Sequence, residues 1–317
     1  MNKKVILVTG GSGFIGYHLV RELLKYDYQV KIFDNLYRSS QESVTELKAL
    51  DGVTFIEGDV RNLDQLINAC DGIDIISHQA AVCINKSVAA PLESTNINLI
   101  GSMNVFEAAK ICNIKKVVYA SSASVYGDPI KLPMNESDQL FPITPYCIAK
   151  AALEDLSKFY FNNYGIKSIG LRYFNVYGPR QPVDAFYTNV VILFIKRILS
   201  GLSPIIKGTG EQSMDFIHVK DIVSANISAL NADIDCDVFN VGSNTSTTVK
   251  ELAEILLKSM NRNDLEAEFS GDQAMVSRRQ ADISKIKEAL SWSPIITAEE
   301  GLSEVARDII SNPEKYN

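Results

Sequence analysis

Tyr146 and Lys150 stand four residues apart at the start of a stretch with helical spacing, preceded by Pro142 and Pro145, so their side chains fall on one helix face. Ser122 comes 24 residues before Tyr146, just after the apolar run at residues 117–120. A phenol, an ammonium and a hydroxyl held together can pass a proton to and from a substrate oxygen. The phenol is a poor base at neutral pH, with a pKa of about 10, and becomes useful only where positive charge favours the phenolate. Lowering it to about 7 takes roughly 4 kcal/mol, part of which Lys150 can supply. Each feature is weak alone: serines after a strand are often turn formers, and a Tyr-x-x-x-Lys pair arises readily in a chain with 13 tyrosines. Their setting decides.

That setting begins with Gly10-Gly11-Ser12-Gly13-Phe14-Ile15-Gly16, directly after an apolar run at residues 5–9. Strand, glycine-rich turn and helix start make a phosphate cradle. Gly10 or Gly11 allows the turn, Gly13 lets backbone approach a pyrophosphate, and Gly16 lets the helix pack on the strand. A plain tight turn would use glycine as well. Asp34 ends a second apolar strand about twenty residues on, where a carboxylate hydrogen-bonds the hydroxyls of an adenine ribose; this favours NAD over NADP. Arg38 lies near enough to complicate that choice. A dinucleotide upstream of Ser122, Tyr146 and Lys150 is the layout that moves a hydride and a proton together, with Lys150 also holding the nicotinamide ribose.

The alternation of apolar runs and amphipathic stretches places strands near 4–9, 29–34, 53–57, 74–77, 115–120 and 167–172, with helices near 14–26, 62–70, 94–112 and 146–163. This predicts an α/β fold: a Rossmann-type doubly wound parallel sheet with helices on both faces. After residue 173 the rhythm loosens into loops, a helix at 190–200 and short strands around 204–206, 215–219 and 237–241. The expected division is a dinucleotide-binding domain at 1–172, with a returning segment near 215–232, and a smaller α+β substrate lobe at 173–317. Such a lobe closes a crevice over the carboxyl ends of the strands.

The 317 residues are 46% hydrophobic and carry a net charge of −7, which bounds a globular protein with a full core and argues against nucleic-acid and membrane-surface partners. No apolar stretch is long enough to span a bilayer, no separate leader segment precedes the first strand, and the expected location is cytoplasmic. Cys70, Cys83, Cys112, Cys147 and Cys236 are odd in number and widely spaced, so neither a disulfide framework nor a metal site is expected; His18, His78 and His218 are likewise scattered.

Taken together, the chain resembles the extended short-chain dehydrogenase/reductase family, within it the nucleotide-sugar 4-epimerases. Further residues carry the resemblance nearly end to end: Asp34-Asn35-Leu36, Gly58-Asp59-Val60, His78-Gln79-Ala80-Ala81, Asn98 to Gly101, Arg172 to Gln181, and Asp215 to Asp221. The resemblance implies that Asn35, Asp59, Val60, Ala80, Ala81, Asn98, Ser121 and Tyr173 surround the cofactor along with Gly10, Gly13, Phe14, Ile15, Gly16 and Asp34. It implies that Asn175 touches the substrate, that Asn189 and Val190 lie where relatives wrap the nucleotide base, and that Tyr146, Ser122 and Lys150 are catalytic. It also implies a homodimer, formed by the helices near 94–112 and 146–163.

Two positions depart from the family pattern. Met214 stands where many members carry an arginine that clamps the substrate diphosphate; Arg278 and Arg279 are the candidates to compensate, though solvated surface arginines would look the same. Ser124 stands where dehydrating and decarboxylating relatives carry an acid, which ranks a 4-epimerase of a UDP-hexose or UDP-N-acetylhexosamine above a dehydratase. A 4-ketosugar reductase and a non-catalytic dinucleotide-binding protein remain as alternatives.

Overall fold

The computed structural model describes residues 3–182, 190–271 and 278–316. Seven parallel strands form the central sheet: β1 (Val5–Thr9), β2 (Gln29–Asp34), β3 (Val53–Glu57), β4 (Ile75–His78), β5 (Lys116–Ser122), β6 (Lys167–Tyr173) and β7 (Cys236–Val241). Their order is β7-β6-β5-β4-β1-β2-β3. The chain winds outward from β1 to one edge and then returns to build the other, so a crevice opens at the carboxyl ends of β1 and β4, where the direction reverses.

The strands are apolar on both faces because helices cover both. Along β1, Ile6 and Val8 pack into one apolar cluster and Leu7 into the other. Along β5, Val118 and Ala120 share the first cluster while Val117 and Tyr119 join the second. The period of two that separates these sets is the strand pleat itself.

The expected Rossmann-type sheet is present, but its limits differ from the expected division at 172. Cys236–Val241, expected in the smaller lobe, pairs in register with residues 168–173 as the edge strand β7. Helix Val219–Asn231, in the expected returning segment, lies against the first helix, Phe14–Leu23. Ala281, Ile283, Ile286 and Trp292 also bury themselves in the sheet's cluster. These segments return because the sheet needs cover beyond β6, a requirement that local periodicity does not reveal.

A separate apolar cluster marks the smaller lobe, where helices Val190–Leu199, Val249–Ser259 and Ala298–Ser311 meet through residues such as Ile195, Leu256 and Val305. The last two helices begin with capping boxes, Thr248 with Glu251 and Thr297 with Glu300. Each is a Thr-x-x-Glu before an apolar run, a start signal legible in the sequence. The helix expected at 94–112 is three pieces: Pro91–Thr95, a wider i to i+5 turn at Asn96–Ile100, and Gly101–Ile111. Among the described residues no helix is long and apolar enough to cross a membrane.

Candidate active site

The glycine-rich turn brings the β1 end to the first helix with very little room to spare. Gly10 has φ of 67°, and a Cβ there would lie 2.7 Å from the Ala80 Cα. A Cβ on Gly16 would run into the Gly10 carbonyl oxygen. At Gly13 the nearest described atom is 3.4 Å away, so this glycine is bare on the side that faces the cavity, at the N-terminus of helix Phe14–Leu23. An anion can approach it there. Asp34 is buried and its carboxylate accepts from the Ser12 N–H at 3.0 Å and the Leu36 N–H at 2.9 Å, which fixes it at the rim of the same turn.

The catalytic candidates come from two elements. Ser122 ends β5, and its Oγ accepts from the Ser124 N–H at 3.2 Å. Tyr146 and Lys150 stand in the first turn and a half of helix Pro145–Tyr164, started by Thr144, whose hydroxyl accepts from the Cys147 N–H, and by Pro145 at its first position. Both Tyr146 and Ser122 line the cavity, and the Ser122 side chain favours the phenolate. Lys150 is buried, with Nζ 5.7 Å from the centre of the Tyr146 ring and 2.7 Å from the Ala120 carbonyl oxygen, to which it donates.

Burial dominates the electrostatics. It pushes the Tyr146 phenol up to about 12, with the Ser122 side chain pulling the other way, and pushes the Lys150 ammonium down to about 8. The expected depression of the phenol is therefore not built into the polypeptide alone: in this chain Lys150 aims its N–H at a carbonyl, and desolvation dominates at the phenol.

Beneath these residues lies a buried pair, Arg172 with Glu154, at 2.6 and 2.9 Å. Ser121 donates to the same carboxylate at 2.5 Å, and Arg172 donates to the Tyr126 hydroxyl at 2.7 Å. The pair ties helix Pro145–Tyr164 to β5 and β6.

One cavity of about 500 Å³ joins these parts. Gly10, Gly13, Phe14, Ile15, Gly16, Asp34, Asn35, Val60, Ala80, Ala81, Ser121, Ser122, Tyr146, Lys150, Tyr173, Asn175 and Arg279 all line it. Asp34 ends β2 and Ser122 ends β5, three strand spacings apart, so the cavity runs roughly 14 Å across the sheet, a length suited to an extended dinucleotide.

Other expected residues have different work. Asn98 does not line the cavity: it is fully buried in the wide turn, and its amide bonds both the N–H and the carbonyl of Val82, holding the loop after β4. Asp59 lies outside it, bound by Asn35 and Arg61, and Arg61 holds its carboxyl down at about 2. Val190 packs against the small-lobe core and Arg278 is exposed, so neither reaches the cavity. Asn189 lies outside the described residues. Although Ser121 and Tyr173 line the cavity, their hydroxyls are committed, the first to Glu154 and the second to Gln79 and Asn226.

The cavity also includes residues not expected from the sequence, Tyr37, Gln79, Cys83 and Gln181 among them. Gln79 and Gln181 sit inside segments that carried the family resemblance, which was the available signal. Gln181 is buried, and its Oε1 has no partner among the described residues, an acceptor ready for a ligand N–H or hydroxyl.

Comparison with known proteins agrees with this geometry. The family model described as the NAD dependent epimerase/dehydratase family matches residues 6–242. The chain belongs to that family. It is similar to the structure of a UDP-N-acetylglucosamine 4-epimerase from Methanobrevibacter ruminantium in complex with UDP-N-acetylmuramic acid, with TM-score 0.91 and 37% identity, covering 98% of this chain and 100% of that one. Against the UDP-glucose 4-epimerase of Thermotoga maritima with UDP-glucose, the TM-score is 0.89 at 32% identity, over 98% and 99% of the two chains. The UDP-glucose 4-epimerase of Mycolicibacterium smegmatis is 32% identical over 94% of this chain and 96% of its own length.

Proposed function

We propose that this family member is an NAD-dependent epimerase that inverts C4 of a nucleotide-activated sugar, a UDP-hexose or UDP-N-acetylhexosamine, through a transient 4-keto sugar. The observation that carries the reading is the meeting of Ser122, Tyr146 and Lys150 in the cavity that also holds Gly13 and Asp34. Full-length similarity to enzymes named as UDP-sugar 4-epimerases supports it.

The residues fit the cofactor. Gly13 and the helix it caps suit the pyrophosphate, Asp34 suits the adenine ribose, and Lys150 stands beside Tyr146 where the nicotinamide ribose would lie. When bound, NAD supplies the hydride acceptor and donor.

Tyr146 takes the proton from the sugar 4-hydroxyl as that carbon is oxidised, and returns it when the carbon is reduced from the other face. Ser122 holds the same oxygen through both steps. Burial keeps water from competing for that proton but also raises the phenol, and the positive charge of a bound, oxidised nicotinamide, with that of Lys150, would favour the phenolate. No external reductant is consumed. Ser124, at the position where a dehydratase needs an acid, donates its hydroxyl to the Ser122 Oγ at 2.9 Å, which favours epimerisation over elimination.

The same reading includes a cytoplasmic homodimer acting on a small-molecule sugar nucleotide of polysaccharide biosynthesis. Its contact surface would be the exposed apolar side chains Leu92, Ile100, Ile148 and Phe159 on the helices between residues 91 and 164. Light scattering of Ile148→Asp against the parent checks it: a monomer is expected only for the variant.

Proton NMR of UDP-glucose, UDP-galactose, UDP-GlcNAc and UDP-GalNAc, each incubated with the protein and no reductant, tests the function. Appearance of a 4-epimer supports it. A 4-keto-6-deoxy product, or turnover only with stoichiometric NADPH, would replace it by dehydratase or reductase activity, and four unchanged substrates would turn the reading to another sugar nucleotide or to a binding-only role.

A further inference from the structure

Arg279 is a cation of the cavity with donor capacity to spare. Its backbone N–H donates to the Ser213 carbonyl at 2.9 Å, which pins it beside Met214. From there the side chain reaches across to the turn after β5, donating to the Gly127 carbonyl at 3.0 Å and the Ala123 carbonyl at 3.4 Å. A guanidinium has five N–H donors, so most of its capacity is left over. Among the described residues no carboxylate forms an ion pair with it, and burial lowers its pKa, with Asp128 and Cys147 exerting weaker opposing influences.

A half-buried charge whose hydrogen bonds go to carbonyls, with only the weaker pull of Asp128 to offset burial, gains from an anion that completes it. The place of that anion follows from the neighbours. Ala123 follows Ser122 in the chain, Cys147 follows Tyr146, and all of Ser122, Tyr146 and Arg279 line one cavity, so Arg279 enters it at the end where the reacting 4-hydroxyl would be held. In a pyranose the diphosphate hangs from C1, across the ring from C4, whereas C6 hangs from C5, the next carbon to C4. A group beside Ser122 and Tyr146 therefore meets the C5 substituent before it meets the diphosphate.

Building on the epimerase reading, we propose that Arg279 is a specificity-determining residue that binds a C6 carboxylate, making the preferred substrate a nucleotide hexuronate rather than a neutral hexose. The sequence resemblance had assigned this arginine to the diphosphate; its position assigns it to the sugar. Met214 beside it adds no second charge, which leaves one fork for one carboxylate.

The test is the ratio of kcat/KM for UDP-glucuronic acid to that for UDP-glucose, in the parent protein and in Arg279→Gln and Arg279→Lys, with binding of both sugars measured in parallel by calorimetry. The expected parent ratio exceeds one by about 10-fold or more, as a charge-assisted hydrogen bond provides, and Arg279→Gln lowers it by about 10- to 100-fold. Arg279→Lys, which keeps the charge without the fork, recovers part of the ratio and guards against a Gln variant that does not fold. A parent ratio at or below one overturns the proposal. So does an equal loss for both sugars, which would return Arg279 to the diphosphate. If neither sugar turns over, and UDP-GlcNAc and UDP-GalNAc do not either, the epimerase reading fails, while the calorimetric ratio still decides whether Arg279 selects a carboxylate.

Discussion

Lys150 places its Nζ over the Tyr146 ring, 5.7 Å from its centre, while donating a 2.7 Å hydrogen bond to the Ala120 carbonyl, so the ammonium faces the phenol ring and is anchored by backbone. Tyr146→Phe is expected to lower kcat by about 100- to 10,000-fold, the range of a lost general acid–base, with the melting temperature close to that of the parent. Lys150 has its own pH signature. Burial sets it at about 8 in the fold against 10.5 in the unfolded chain, so activity that needs its charge declines as pH rises through 8. Stability moves the other way: between 8 and 10.5 the unfolded chain binds the extra proton, so the parent gains stability relative to Lys150→Met over that window. Kinetics and denaturant titrations across pH 7–10.5 check both signs.

The Arg172–Glu154 pair predicts a large asymmetry between single and double variants. Glu154→Gln leaves a buried guanidinium without its anion and turns one of the two acceptor oxygens shared by Arg172 and Ser121 into a donor, costing about 3–5 kcal/mol. Replacing both partners, as Glu154→Leu with Arg172→Met, costs less than the two single changes together, because no charge remains stranded. Urea unfolding of the four proteins measures the coupling.

Two glycines of one turn should fail differently. Gly16→Ala drives a methyl group into the Gly10 carbonyl and should destabilise by about 1–3 kcal/mol. Gly13→Ala meets nothing closer than 3.4 Å and should melt like the parent, yet bind NAD more weakly because its methyl occupies the cavity. Thermal melts paired with NAD titration separate the two.

His78 sits fully buried between the Thr9 hydroxyl at 2.7 Å and the Ser102 hydroxyl at 2.9 Å, and burial, with a smaller push from Lys150, holds it at about 3. Its unfolded value is 6.5, so as pH falls below that point the unfolded chain takes up a proton that the fold refuses. The parent should lose stability toward pH 4 more steeply than His78→Gln. Melting curves between pH 4 and 7 give the comparison, and parallel curves would refute it.

Much of this was legible from the order of residues because the requirements are local. A glycine must stand where backbone turns with φ of 67°, as at Gly10, and an acid must end the second strand, as at Asp34. Tyr146 and Lys150 share a face because a helix repeats every 3.6 residues, whatever the helix packs against. Those spacings carried the expected sheet type, the expected cofactor and the candidate catalytic set.

The tertiary structure decided what depends on distant partners. Whether Cys236–Val241 joins the sheet rests on its pairing with residues 168–173, more than 60 positions away, and so does the true extent of the dinucleotide-binding unit. Asn98, Ser121 and Tyr173 belong to recurrent motifs, but only the fold shows their polar groups spent on Val82, Glu154, Gln79 and Asn226. Arg278 and Arg279 are adjacent and chemically identical in the sequence; one faces solvent and the other lines the cavity, because extended backbone sends successive side chains to opposite sides.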